Sequence, residues 1–421
     1  MNEAITALRG RALERRFQLL DSLLAASAHW WRARPFHQRG YCWQDSHPDL
    51  CAALDRLADS ELEHLQQNPI DAIRWLSPWV ADGRRLHELS RLPRLSQRVI
   101  SPPERLDHGI PGRKWQQLLA FASSVAPVAE PVLEWCAGKG HLGRLLAVVD
   151  RRAVTSLEWQ AQLCAEGAAL AQRFQHRAAP MHFAHCDAFA PEAASWVKPG
   201  GHAVALHACG DLHTTLMRHW AEKGGAQLVL SPCCYHLIRT KEYVPMSSAG
   251  RNGQTRLGRE DLQLPLQETV TAGAAVRRLR ERELHWRLAF DELQRQVRAE
   301  DSYLPVPNVR KSLLQEGFSA FARWAGAQKK LVLPAAIDEA LYLQLGWQRL
   351  RRVRRMELVT HVFRRPLELW LVLDRALFLQ ECGAEVELGE FCERELTPRN
   401  ILLRAWRAEA GGKEGTSDQA G

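Results

Sequence analysis

Residues Pro131–Leu146 read P-V-L-E-W-C-A-G-K-G-H-L-G-R-L-L, and their order decides the fold of this 421-residue chain. The apolar pair Val132-Leu133 predicts a short buried strand running into Glu134. Cys136-Ala137-Gly138-Lys139-Gly140 predicts a tight turn, and an amphipathic helix begins near His141. Glycine reaches backbone conformations closed to other residues and lets main chain approach a ligand, while a helix start offers unpaired N–H groups. Strand, glycine turn and helix start together predict a pocket for a nucleotide-like ligand.

Two ligands compete for that turn. Gly138-x-Gly140-x-x-Gly143 satisfies the dinucleotide pattern G-x-G-x-x-G. A carboxylate at the strand end repels a pyrophosphate, however, whereas S-adenosylmethionine (SAM) carries an ammonium and a sulfonium. Glu134, four positions before Gly138, also has the spacing of class I methyltransferases, which usually read E/D-x-G-x-G-x-G. Cys136 stands where that pattern has its first glycine, and its small side chain is compatible with the turn. The plain alternative is a structural strand–turn–helix that binds nothing.

The residues that follow predict a doubly wound sheet. Ala153–Leu157 is a second strand ending in Glu158, a carboxylate able to accept both ribose hydroxyls of SAM or of NAD. Met181–Cys186 is a third, ending in Asp187, placed for an adenine amino group. His202–Leu206 opens into His207-Ala208-Cys209-Gly210-Asp211-Leu212, and Gln227–Leu230 opens into Ser231-Pro232-Cys233-Cys234-Tyr235-His236. Short apolar runs alternating with helical stretches mark buried parallel strands, and ligands bind beyond their carboxyl ends.

L-H-A-C-G-D-L at 206–212 and S-P-C-C-Y-H at 231–236, behind E-W-C-A-G-K-G, resemble a family of SAM-dependent methyltransferases. That family includes the rRNA adenine dimethylase-like proteins, the glutathione S-transferase C-terminal domain-containing protein and, more distantly, tRNA 2'-O-methyltransferases. P-L-E-L-W-L-V-L-D-R-A-L-F-L-Q-E-C-G at 366–383 and L-T-P-R-N at 396–400 are similar to that family's C-terminal part, so the resemblance covers about 108–407. It implies an α/β, Rossmann-like seven-stranded class I methyltransferase sheet with SAM as cofactor. A helical N-terminal extension over 1–107, a helical insertion over about 239–383 and a disordered tail over 408–421 complete the expected organisation. The insertion opens with the polar stretch 241–258, expected to be a mobile lid, and the last two strands are expected at Glu385–Phe391 and Asn400–Trp406.

Composition narrows the partners. No apolar run approaches the roughly eighteen residues of a membrane span, and M-N-E-A-I-T-A-L-R-G-R lacks a signal peptide's apolar core. Ten cysteines in such a chain read as reduced cytoplasmic thiols. The formal net charge of +8 favours polyanions. It is concentrated in R-L-R-R-V-R-R at Arg349–Arg355 and in Arg277, Arg278, Arg280 and Arg282, read as a phosphate-tracking surface or as solvated helix faces.

Methyl transfer displaces an already activated leaving group, so positioning and removal of a proton are the enzyme's tasks. The candidates for that chemistry are His207, Asp211, Tyr235 and His236, with Asp211 alternatively a helix cap. Cofactor contacts are assigned to Glu134, Cys136, Gly138, Lys139, Gly140, Glu158, Asp187 and His207; substrate contacts are assigned to Lys114, Arg351, Arg352, Arg354 and Arg355. Zinc at the strand-end cysteines is disfavoured, because no C-x-x-C pair occurs and adjacent Cys233-Cys234 point opposite ways if extended. The resulting expectation is a SAM-dependent methyltransferase of RNA, with no metal. A protein or small-molecule methyltransferase and a catalytically inactive SAM- or RNA-binding module are the alternatives.

Overall fold

A computed structural model describes residues 8–127, 130–267 and 273–407. The chain divides into two compact units, each assembled from separated stretches: 1–25, 88–270 and 365–421 in the first, 26–87 and 271–364 in the second. The expected boundaries at 107 and at 239–383 do not coincide with these, and the expected tail at 408–421 lies outside the described residues.

The first unit is built on one sheet of eight strands. They are β1 (Leu8–Arg9), β2 (Val132–Trp135), β3 (Val154–Glu158), β4 (Met181–His185), β5 (His202–Ala205), β6 (Gln227–Leu230), β7 (Glu385–Glu390) and β8 (Ile401–Trp406). Their spatial order is β1-β7-β8-β6-β5-β2-β3-β4. β4, β3, β2, β5 and β6 run parallel, while β8 and β7 are antiparallel to their neighbours. The order reverses at β2, so the carboxyl ends of β2 and β5 flank the natural crevice of such a sheet.

Seven strands were expected; the eighth is β1, two residues that pair antiparallel with the outer edge of β7. The Arg9 guanidinium reaches Glu387 at 2.6 Å and lies over the Trp406 ring at 5.3 Å. Two residues carry no detectable period, so this edge cover was invisible in sequence.

Helices pack both faces. α1 (Arg11–Ala26), α2 (Gly112–Ser123), α3 (His141–Val149), α4 (Ala161–Gln172), α5 (Asp211–Lys223) and α6 (Arg364–Glu381) belong to this unit, apart from the terminal residues Ala26 and Arg364. Phe121, Leu142, Leu145 and Leu146 pack with Val132, Val154, Val204 and Val229 on one face. On the other face Trp135 donates its indole N–H to Leu212 O at 3.0 Å, and Trp220 donates to Gln227 O at 3.0 Å.

The segment 241–258, expected as a lid, is fastened instead. Asp374 of α6, fully buried, accepts Tyr243 Oη at 2.5 Å, the Met246 N–H at 2.8 Å, and the Ser247 N–H and hydroxyl at 2.9 and 2.6 Å. Asp21 of α1 accepts the N–H groups of Gln254 and Thr255 at 2.6 and 3.0 Å. Polar sequence here serves two buried carboxylates, and a loop so pinned is rigid.

The second unit is helical, centred on the antiparallel helices Ala274–Arg298 and Glu339–Thr360 with Phe318–Gln328 packed beside them. A further helix covers Gly83–Ser90. Among the described residues no helix is long and apolar enough to cross a membrane.

Candidate functional site

The turn after β2 takes the left-handed conformation three times in five residues: Cys136 at φ 55°, Gly138 at 59° and Gly140 at 61°. Glycine accepts that conformation freely; Cys136 bears a cost of about 1–2 kcal/mol. An added Cβ at Gly140 would meet the Phe183 ring at 2.6 Å, whereas one at Gly138 would project into open space. Glu158, at the end of β3, holds the turn by accepting the Gly138 N–H at 2.9 Å and the Gln160 N–H at 3.0 Å.

Glu134 does not face the crevice. Alternation along β2 puts it on the same face as Val132, beneath the first turn of α3. There it is 5% exposed and accepts the Ser156 hydroxyl at 2.7 Å. Burial pushes its carboxyl up to about 7, against the opposing pull of Ser156, the Gly143 and Leu142 N–H groups and the Arg144 charge. Gly143 is required for this approach, since a Cβ there would lie 2.5 Å from Glu134 Oε2. Glu134 therefore positions the turn and is withdrawn from direct contact with a ligand.

The remaining residues distribute unevenly. His207 is exposed after β5; partial desolvation, then the neighbouring Lys114 charge, lower its pKa. Exposed Lys114 also helps depress His141, which burial chiefly pushes down to about 4, so this ring at the α3 start is neutral at pH 7. Asp211 opens α5 and accepts the Arg239 N–H at 2.7 Å, fixing the loop after β6. Asp187 is exposed beyond β4 and accepts the Phe189 N–H at 2.9 Å. Lys139 pairs with Glu166 at 2.5 Å.

Tyr235, expected as catalytic, is fully buried, its hydroxyl 3.2 Å from Pro232 O and 3.3 Å from Glu368 Oε1. Desolvation, then the Glu368 charge, raise its pKa well above the ordinary phenol value, so it is a packing residue. His236 is half-buried and its Nδ1 has no hydrogen-bond partner. The sequence reading missed Trp159, which follows Glu158 directly and is 65% exposed, and Phe189, 37% exposed under the Arg239 guanidinium. A large aromatic immediately after a strand-end carboxylate was the available signal.

Cys209, Cys233 and Cys234 converge, with their Sγ atoms all within 4.8 Å of one another and Cys209 to Cys233 at 3.6 Å. The expectation that Cys233 and Cys234 diverge fails because Cys234 has φ 50°, so the chain there is turned, not extended. Hydrogen bonds from Cys209 and Cys233 hold the Cys234 thiol low, while hydrogen bonds to Cys209 and Cys234, and then burial, raise Cys233.

The expected arginine surface is spent on structure only in part: Arg349 and Arg355 are buried, whereas Arg351 and Arg352 remain exposed. In the second unit Arg355, 3% exposed, donates to Leu54 O and Leu57 O and meets Asp59 at 2.8 Å. Arg349 is equally buried against Asp291 and Glu292. Arg351 pairs with Asp59 at 3.4 Å, Arg352 donates to Arg39 O, and Arg354 meets Glu281 at 2.6 Å. Arg277, Arg278, Arg280 and Arg282 are exposed. The first unit has its own basic cavity of about 580 Å³, lined by Arg105, Arg144, Arg173 and Arg177 with His108 and His176. Arg144 is 2% exposed, and its Nε and Nη1 have no hydrogen-bond partner.

Residues 113–241 match the model of a family described as a methyltransferase domain. Two curated relatives, glutathione S-transferase C-terminal domain-containing protein homologs, are similar. The protein from Drosophila pseudoobscura pseudoobscura is 28% identical over 152 residues, covering 34% of this chain and 23% of the relative. The one from Drosophila melanogaster is 29% identical over 154 residues, covering 35% and 24%. The chain thus spans about a quarter of the length of these relatives. Among solved structures, magnesium protoporphyrin IX methyltransferase from Synechocystis PCC 6803 with bound SAH is 15% identical, covering 38% of this chain and 70% of its own, at a TM-score of 0.25.

The domain match supports a methyltransferase, and SAM is its cofactor. The residues fit that group: the Gly138 position leaves a cradle open at the turn, and buried Glu158 stands at the β3 end.

Proposed function

We propose that this protein is a SAM-dependent methyltransferase of RNA, with the eight-stranded sheet read as a Rossmann-like methyltransferase sheet extended by β1. The observation that carries the substrate class is the basic cavity, where four arginines and two histidines converge with a single acidic side chain, Glu104, on the wall. Arg105, Arg173 and Arg177 are exposed there and offer guanidinium donors, an arrangement suited to phosphate oxygens. The likeness to the rRNA adenine dimethylase-like proteins, drawn from the C-C-Y-H stretch, and a cytoplasmic location belong to the same reading.

Bound SAM supplies a methyl group on an activated sulfonium. Backbone at Gly138 and Gly140 admits the cofactor, Glu158 and Asp187 accept its polar groups, and exposed Trp159 offers an apolar face. Of the four residues expected to handle protons, His207 is the exposed one, and we assign it proton acceptance from the substrate nucleophile. Asp211 holds the neighbouring loop through Arg239. Orienting the nucleophile within this frame supplies roughly 7–11 kcal/mol of rate enhancement.

Tritium transfer from labelled SAM into fractionated RNA and protein tests the reading. Label in an RNA fraction, lost in Glu158→Ala, supports it; label confined to protein assigns the alternative substrate. No incorporation in any fraction, with SAM still bound, leaves a binding module.

A further inference from the structure

The three cysteines beyond β5 and β6 are absent from the methyl-transfer scheme, and their arrangement has a use of its own. We propose that Cys209, Cys233 and Cys234 form a zinc(II) site whose fourth position stays open to an exogenous ligand. Tetrahedral zinc with thiolate bonds of about 2.3 Å places sulfur atoms about 3.8 Å apart. The Cys209–Cys233 separation is 3.6 Å and all three sulfurs fall within 4.8 Å, so the metal requires only small side-chain adjustments.

The scaffold holds these thiols in place without a metal. Cys209 and Cys233 are paired by a backbone bridge, and the Gly210 N–H donates to Cys233 O at 3.0 Å. The Asp211 N–H donates to Leu237 O at 3.0 Å and the Leu237 N–H to Cys234 O at 2.9 Å. Gly210 is essential to this contact, because a Cβ would stand 2.1 Å from Leu237 O. The left-handed Cys234 then turns the third thiol toward the other two.

A second observation points to a ligand. His236, two residues after Cys234, carries a buried Nδ1 with no hydrogen-bond partner. Buried polar atoms are rarely left unsatisfied, so a ligand held at the loop that carries Cys234 would give this nitrogen a partner. Each cysteine binds as thiolate, so any proton it still carries is released to solvent on metal uptake and no electrons are exchanged. Three protein ligands with one open position is the arrangement of sites that bind and polarise a ligand, and it would lie beside His207 on the same strand-end loop.

The test is metal analysis of full-length protein purified without an affinity tag, together with cobalt(II) replacement. One zinc per chain is expected, with cobalt giving thiolate-to-metal charge-transfer absorption. Cys209→Ser and Cys234→Ser should lose the metal and that absorption, while Cys186→Ser retains both. Circular dichroism and SAM titration on the same variants separate metal loss from unfolding. Substoichiometric zinc with no cobalt absorption overturns the site, as does a folded Cys234→Ser protein binding metal as the parent does. A Cys209–Cys233 disulfide in protein prepared under reducing conditions also overturns it. None of these outcomes bears on the RNA reading, which the tritium experiment decides.

Discussion

The carboxylate of Glu134 accepts the Ser156 hydroxyl at 2.7 Å, tying β2 to β3 one step before the glycine turn. The residue at the centre of the sequence argument thus acts from beneath the site. Its environment makes stability pH-dependent. Burial raises the folded-state carboxyl from 4.5 to about 7, so its contribution is whole below about pH 4.5 and is lost as pH rises through 7. The full loss is about 3 kcal/mol at 1.36 kcal/mol per unit. Urea unfolding at pH 5 and pH 8 should show parent protein losing more stability than Glu134→Gln. Half-buried Glu357, also raised to about 7, contributes equally to both proteins and cancels in the comparison. Equal losses contradict the assignment.

Gly143→Ala tests the same contact sterically. The new Cβ would meet Glu134 Oε2 at 2.5 Å and Val154 Cγ1 at 2.8 Å. We expect destabilisation of about 1–3 kcal/mol, read as a lowered Tm. An unchanged Tm would mean that α3 sits farther from β2.

Glu158→Ala leaves the Gly138 and Gln160 N–H groups without their acceptor and removes the carboxylate we propose as a cofactor ligand. Calorimetric titration should show SAM affinity reduced at least about tenfold, the worth of one charge-assisted hydrogen bond. Retained affinity would place the cofactor elsewhere.

Asp374→Asn weakens four hydrogen bonds to Tyr243, Met246 and Ser247 at once. Stability should fall by about 2–4 kcal/mol, and limited proteolysis should cut within 241–258. Resistance equal to the parent would mean that other contacts hold this segment.

Arg177→Ala and Arg173→Ala should weaken RNA binding and flatten its salt dependence by about one unit of slope each. Arg355→Ala should instead lower stability, because its guanidinium satisfies the carbonyls of Leu54 and Leu57 within the second unit. Fluorescence binding across a salt series and thermal melts distinguish the two effects.

The sequence alone determined the parallel strands and the turn between β2 and α3. Period, small residues and terminal carboxylates are local signals, and a chain cannot hide them. It placed Gly138 and Gly140 in that turn and Glu158 at a strand end for the same reason. Tertiary packing decided what each polar side chain does. Strand parity sent Glu134 under α3, and a left-handed Cys234 brought three thiols together. Helix contacts turned Arg355 and Asp374 into interior fasteners. Exposure and convergence depend on neighbours distant in sequence, which no run of residues announces.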